Sequence, residues 1–375
     1  MTEFTFVHTS DLHLGKGFGQ MPDELRGRLI EARHEVLARL IQVARAHNAG
    51  HVLVAGDMFD STGPSEGVRR QAATAMSASE DLQWWIIPGN HDSLQGEELW
   101  AAFDSESGDN VHVLREAATL EIEPDVYLLP APLPRQFPGV DLTGWMADAD
   151  TPEGALRIGL AHGGVVSFGE DFDSSALIPP DRAKTAQLDY LAMGDWHGYL
   201  PVGDRTYYCG SPERDRFKHN GRGACLVVTL AGNGATPKVE SVETGRFDWR
   251  FADLPLNPGM DAGAELERLL PADRAVRRDV LVQLHATGFL RMAERGAFDE
   301  ALQQAEPDFA RLILQDEELA TEYEVGDLDL IAVSGALRAA AEDLHNETQN
   351  TDLSAEDARV AQAALNRLWS LVKEG

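Results

Sequence analysis

Five short stretches of this chain concentrate carboxylate, imidazole and carboxamide groups: Asp11-x-His13, Gly56-Asp57-x-x-Asp60, Gly89-Asn90-His91-Asp92, His162 within AHGG, and Gly194-Asp195-x-His197. Each follows an apolar run. Oxygen and imidazole donors without thiolate suit manganese, iron or zinc better than copper(I) or an iron–sulfur cluster. In extended backbone, residues i and i+2 point to one side, so Asp11 with His13, and Asp195 with His197, could each grip one ion. Glycines beside Asp57, Asn90, His162 and Asp195 permit sharp turns and close backbone approach. Taken singly, these residues have plainer roles: Asp11 or Asp57 can cap a helix, and Asn90 can favour a turn. Taken together, they point to a metal site.

Such a site needs elements that bring distant segments to one edge. FTFVHTSD (4–11), HVLVAGD (51–57) and WWIIPGN (84–90) read as strands, each ending in or near Gly, Asp or Asn. Between the first two, Leu29, Val36, Leu37, Leu40, Ile41 and Val43 form an apolar stripe near helical spacing. Residues 65–80 read as a second helix. This β-α-β-α-β order predicts a mainly parallel sheet with ligands at the strand C-terminal ends. Beyond residue 110 come shorter β segments, VHVL, ATLEIE and VYLL, then the proline-rich LPAPLPRQFPG. RIGLAHGG (157–164) and LDYLAMGD (188–195) are further buried strands, and TYYCGS and ACLVVTL complete a β-rich core near residue 245. We place a first domain at 1–245, a smaller α+β unit at 246–332 with a helix around 289–304, and a helical segment at 333–375. Ser354-x-x-Asp357 supplies a capping signal there.

A chain of 375 residues can build two or three domains. No apolar run approaches a membrane span. The start, MTEFTFVHTSD, has no basic region followed by an apolar stretch, so no signal peptide is expected. Cys209 and Cys225 lie far apart without CxxC spacing, which fits a reduced, cytoplasmic protein. The net charge of −30 argues against a basic DNA-tracking surface. It leaves a small-molecule substrate, a salt-adapted surface, or a partner that supplies cations.

The ordered set DxH, GDxxD, GNHD, a lone His and a final pair resembles the calcineurin-like metallophosphoesterases. SDLHLGK, AGDMFDS and PGNHDS bring it nearest to the SbcD and YhaO-type subunits of DNA break repair, over roughly residues 1–230. That resemblance implies a four-layer α/β/β/α sandwich with a small cap domain and a helical tail. It implies two divalent ions, manganese first, with iron, zinc or magnesium as alternatives. Asp11, His13 and His197 would hold one ion, Asn90, His162 and Asp195 the other, with Asp57 bridging. His91 would stay unligated, to stabilise the attacked phosphate or protonate the leaving oxygen. Asp60 and Asp92 would orient the loops and His91, with Asp92 counted beside His91 in the catalytic pair. The family usually has GHxH where this chain has Gly194-Asp195-Trp196-His197, so Asp195 stands in for a histidine. Within GSPERDRF, Arg214 and Arg216 are candidate phosphate contacts. The implied partners are DNA, an SbcC/SMC-like coiled-coil ATPase docked on the C-terminal helices, and a second copy of the chain.

Two other functions stay open: a small-molecule phosphatase or cyclic-nucleotide phosphodiesterase of the same fold, and a non-catalytic binding subunit. Of the remaining histidines, His8 reads as a core or edge residue. His34, His47, His51, His112, His219, His285 and His345 read as solvated. Trp84, Trp85 and Trp196 read as core, and the stripe Val360, Ala364, Leu365, Leu368, Trp369 and Val372 as packed on its own domain.

Overall fold

The computed structural model describes residues 3–165, 177–322, 327–350 and 352–374. The chain divides into two compact units, Met1–Asp248 and Trp249–Gly375.

In the first unit, β1 (Phe4–Thr9), α1 (Asp23–Ala46), β2 (His51–Ala55), α2 (Glu66–Ser77), β3 (Gln83–Ile87), α3 (Glu97–Glu106) and β4 (Val111–Val113) alternate. They are followed by β5 (Leu120–Glu123), β6 (Val126–Ala131), β7 (Leu156–His162), the short β8 (Gly164–Val165) and β9 (Leu177–Ile178), the single turn α4 (Arg182–Thr185), and β10 (Tyr190–Gly194). Then come β11 (Leu200–Pro201), β12 (Thr206–Tyr208), β13 (Ala224–Leu230) and β14 (Lys238–Glu243). One sheet runs β14-β13-β1-β2-β3-β4 and the other β11-β12-β10-β7-β6-β5. The interiors of both are parallel, β1-β2-β3 in one and β6-β7-β10-β12 in the other.

The period of two along each strand assigns the faces. Phe6, Leu53, Ala55 and Ile87 of the first sheet meet Leu128, Ile158, Leu160, Tyr190 and Ala192 of the second in one apolar cluster. Their neighbours Val7, Val52, Val54, Trp84 and Ile86 face the other way, onto Val36, Leu40, Met76, Trp100 and Phe103 of the three helices. The far side of the second sheet is covered by Met146, Ala183 and Ala186. The architecture is the four-layer α/β/β/α sandwich. Its second outer layer is thin, made of a 3₁₀ turn (Gly144–Ala147) and α4.

In the second unit, β15 (Asp248–Leu256), β16 (Val280–Arg291) and β17 (Arg311–Glu322) form a sheet in that order. Its helices are α5 (Ala262–Leu269), α6 (Arg274–Arg277), α7 (Met292–Ala305), α8 (Asp327–Ile331), α9 (Ala336–Thr348) and α10 (Ala355–Glu374). The helix predicted from residue 289 starts at Met292, because residues 288–291 still pair with β17. Glu294 then accepts from the Arg291 N–H at 2.9 Å to close the first turn. The predicted cap of α10 forms, with Asp357 N donating to Ser354 Oγ at 3.1 Å. Leu365 and Trp369 of α10 are buried with Met292, Leu328, Ile331 and Ala341, whereas Val360 is 65% exposed.

Candidate metal centre

All five stretches lie just past, or at, the C-terminal ends of parallel strands. The sequence logic for two of them needs correction, because their backbone is not extended. Asp11 and His13 have φ of 53° and 45°, and Asp195 has 103°. Asp57 is also left-handed, at 53°. Non-glycine residues held at positive φ cost about 1–3 kcal/mol each and persist only where surroundings enforce them. Here the enforcement is visible. Asp11 N donates to Gly56 O at 3.1 Å, His13 N to Asp57 O at 3.0 Å, and Leu14 N to Met58 O at 2.9 Å, so the loops after β1 and β2 are laced together. Side chains converge through these left-handed turns, not through an i, i+2 extended pair. Gly56, at φ +87°, shows why glycine precedes Asp57: an added Cβ would overlap the His162 ring.

Asp57 sits at the middle of the donor array. Its Oδ2 lies 3.8 Å from His13 Nε2 and 3.6 Å from His162 Nε2, while its Oδ1 accepts from His91 N at 2.9 Å. On one side, Asp11, His13 and His197 place donor atoms within 4.8 Å of one another. On the other side, His162 Nε2 is 3.2 Å from Asn90 Oδ1 and 3.8 Å from Asp195 Oδ1. His162 Nδ1 is 2.8 Å from Ala55 O. A carbonyl only accepts, so Nδ1 carries a proton and Nε2 is the nitrogen turned to the carboxylates of the site.

This donor set fits divalent cations. Burial pushes the Asp57 carboxyl up to about 7, and repulsion from Asp11 and Asp195 adds to it. What offsets this is the His162 imidazole and the His91 N–H. Burial also raises Asp195. It lowers His13 to about 3, keeping that imidazole neutral and able to ligate. For His162, burial acts downward, but Asp57, Asp11 and Asp195 outweigh it and carry the imidazole to about 9. A divalent ion among these carboxylates would replace the proton and favour the anionic forms.

The remaining expected residues take varied places. His91 is exposed, with Nδ1 3.0 Å from Asp60 O. With His13 and Asp60 it forms a third group of donors within 4.8 Å. Asp60 Oδ1 is 3.3 Å from His13 Nδ1. Asp92 is fully buried, and burial pushes its carboxyl up to about 7. It accepts from Phe59 N at 3.0 Å and Gly89 N at 2.7 Å, so it ties two loops together through backbone. Arg214 is directed elsewhere, with Nε donating to Arg222 O at 3.1 Å. Arg216 reaches the rim, where Nη2 is 3.4 Å from His197 Nδ1.

Sequence reasoning missed Asp215. Its Oδ1 is 3.5 Å from His197 Nδ1, and it is buried. The segment draws notice for its arginines, and an aspartate between two arginines reads as a surface salt bridge. His51 is buried rather than solvated, accepting from Trp85 Nε1 at 3.0 Å. His8 is a satisfied core residue, bonded to Tyr190 and Met193.

Paired parallel sheets that present buried aspartates, histidines and an asparagine at their strand ends define a phosphoester hydrolase built to hold metal. The chain belongs to the calcineurin-like phosphoesterase family, whose pattern matches residues 4–228. It is 23% identical to the uncharacterized metallophosphoesterase YhaO of Bacillus subtilis (strain 168) over 360 residues, 88% of this chain and 85% of that protein. It is 27% identical to the SbcD subunit of the nuclease SbcCD of Rhodobacter capsulatus, covering 62% of this chain and 67% of that one. For the SbcD subunit of Escherichia coli (strain K12) the identity is 26%, over 63% and 66%. Among solved structures, TT1561 of Thermus thermophilus aligns with a TM-score of 0.40 at 12% identity, covering 65% of this chain and all of that one.

Proposed function

We propose that this chain is a two-metal phosphodiesterase that cuts DNA, of the SbcD type, working with an SMC-like coiled-coil ATPase. The observation that carries the reading is the position of Asp57, with one oxygen between His13 and His162. In this reading Asp11, His13 and His197 hold one ion, Asn90, His162 and Asp195 the other, and Asp57 both. When bound, the divalent ions, manganese first, supply Lewis acidity to the phosphate oxygens and to the attacking water. His91 donates a proton or hydrogen bond to the phosphate or the departing oxygen, its ring fixed by Asp60 O. Arg216 contacts phosphate at the rim. The same reading makes 246–332 a cap, 333–375 the region that meets the ATPase, and the protein a cytoplasmic homodimer. Its support is the likeness to two SbcD nuclease subunits.

The net charge of −30 favours a second reading, a hydrolase of small phosphodiesters. Labelled single- and double-stranded DNA, assayed beside bis-p-nitrophenyl phosphate with Mn²⁺, separates the two. We expect both ester and DNA to be cut, DNA more efficiently once the ATPase is added. Hydrolysis of the small ester alone, with the ATPase present, would leave only the second reading. Failure on both substrates, with metal bound, would make the chain a non-catalytic binding subunit.

A further inference from the structure

One lysine lies against both carboxylates that back the imidazoles of one half-site. Lys16 Nζ is 2.9 Å from Asp215 Oδ2 and 3.5 Å from Asp60 Oδ1. Asp60 Oδ1 is 3.3 Å from His13 Nδ1, and Asp215 Oδ1 is 3.5 Å from His197 Nδ1. The two imidazoles meet on the inner side, Nε2 to Nε2, at 3.3 Å. Lys16, Asp60, His13, His197 and Asp215 therefore close a ring of five side chains. The backbone returns Lys16 to this place through a tight turn, with Lys16 N donating to His13 O at 3.2 Å and Gly15 at φ +91°.

We infer that Lys16 is a positioning residue: through Asp60 and Asp215 it fixes both imidazoles of the Asp11–His13–His197 half-site and so sets the affinity of that one ion. The inference rests on the two-metal reading above. The opposite half-site is built differently, since His162 Nδ1 is held by the uncharged carbonyl of Ala55. A carboxylate behind a ligating histidine fixes the ring and raises its basicity, and losing such a partner typically costs about 10–100-fold in metal affinity. Asp215 has a side chain only 2% exposed, so its charge depends on the cations packed against it. Arg216 Nε also lies 3.2 Å from Asp215 Oδ1, whereas Lys16 touches both carboxylates, so its loss loosens the pair together.

The sign of the effect separates this role from plain electrostatics. An ammonium near a cation site opposes metal binding by Coulomb repulsion, so deleting it should tighten both ions if charge were all that mattered. A positioning role requires the reverse, and for one ion only.

The test uses the full chain, stripped with EDTA and titrated with Mn²⁺ by calorimetry and by electron paramagnetic resonance. The parent should bind two ions and give a spin-coupled signal. Lys16→Gln should keep one ion at parental affinity and weaken the other about 10–100-fold, leaving an isolated-ion signal at limiting Mn²⁺. Asp215→Asn should reproduce this, and Lys16→Arg should largely restore the pair. In a His197→Ala background, Lys16→Gln should not change the ion that remains. Binding of both ions by Lys16→Gln as in the parent, or tighter, overturns the inference, as does equal weakening of both. A parent that never binds two ions would instead overturn the two-metal reading, and this inference with it.

Discussion

At the scale of single residues, His91 and His13 look alike in sequence yet face different surroundings. His13 is buried, with burial holding it neutral. His91 is exposed and bonds Asp60 O through Nδ1, which leaves Nε2 outside that bond. We therefore expect His91→Ala to lower kcat by about 10²–10⁴-fold, the range of a lost general acid. Mn²⁺ stoichiometry should stay at the parental value. Metal analysis beside steady-state kinetics checks both, and a lost ion would move His91 among the ligands. His8 gives a prediction about pH. Burial lowers its pKa from 6.5 to about 3, with its ring nitrogens engaged by Tyr190 and Met193. Between those values the unfolded chain holds a proton that the folded chain refuses, so stability rises with pH across this window. It is fully present above 6.5 and is lost as pH falls toward 3. One such group adds a slope of about 1.4 kcal/mol per pH unit. Urea unfolding of EDTA-treated protein at several pH values below 6 should give a slope shallower by about one proton in His8→Gln, and no slope difference should remain well above 6.5. Parallel curves for parent and variant would show that His8 titrates normally.

At the scale of elements, the parallel strands of the first unit are legible to within about three residues, because buried parallel strands announce themselves as apolar runs. The donor residues at their ends are equally legible, since each breaks such a run. By contrast, β16 and β17 run six or seven residues past their apolar stretches. Other features leave no local mark. Left-handed backbone at Asp11, His13 and Asp57 is imposed by lacing between loops more than forty positions apart in sequence. No spacing rule within one loop could reveal it. Asp215 gains its role only because folding buries it against His197 and Lys16. The thin outer layer over the second sheet also follows from long-range packing, as Met146 and Ala183 come from connections without helical periodicity. The tail offers an element-level prediction. Gly296 in α7 lies under Trp369 of α10, where an added Cβ would overlap the indole ring. Gly296→Ala should lift Trp369 at a cost of about 1–3 kcal/mol from overpacking. Hydrogen exchange should then speed up across residues 355–374 while the Met1–Asp248 unit keeps its protection. Unchanged exchange in α10 would mean that the indole finds another seat without penalty.

At the scale of the whole molecule, 62 acidic residues against 32 Lys and Arg create a field that opposes a polyanion. Among the described residues no helix is long and apolar enough to cross a membrane. Long-range repulsion is screened as salt rises, the Debye length shrinking from about 30 Å at 0.01 M to about 8 Å at 0.15 M. A basic nuclease loses DNA affinity over this range, because each neutralised phosphate releases counterions. The isolated chain should do the opposite: kcat/KM for DNA should increase as salt is raised from about 0.01 to 0.15 M. Bis-p-nitrophenyl phosphate, with a single charge, should respond far less. If a cationic partner presents the DNA, adding it should reverse the trend, so that rates fall with salt. Initial-rate assays on both substrates, with and without the ATPase, at fixed free Mn²⁺, measure all of this. Decreasing DNA cleavage with salt in the isolated chain would mean that local cations at the rim, Arg216 among them, dominate the field that the substrate meets.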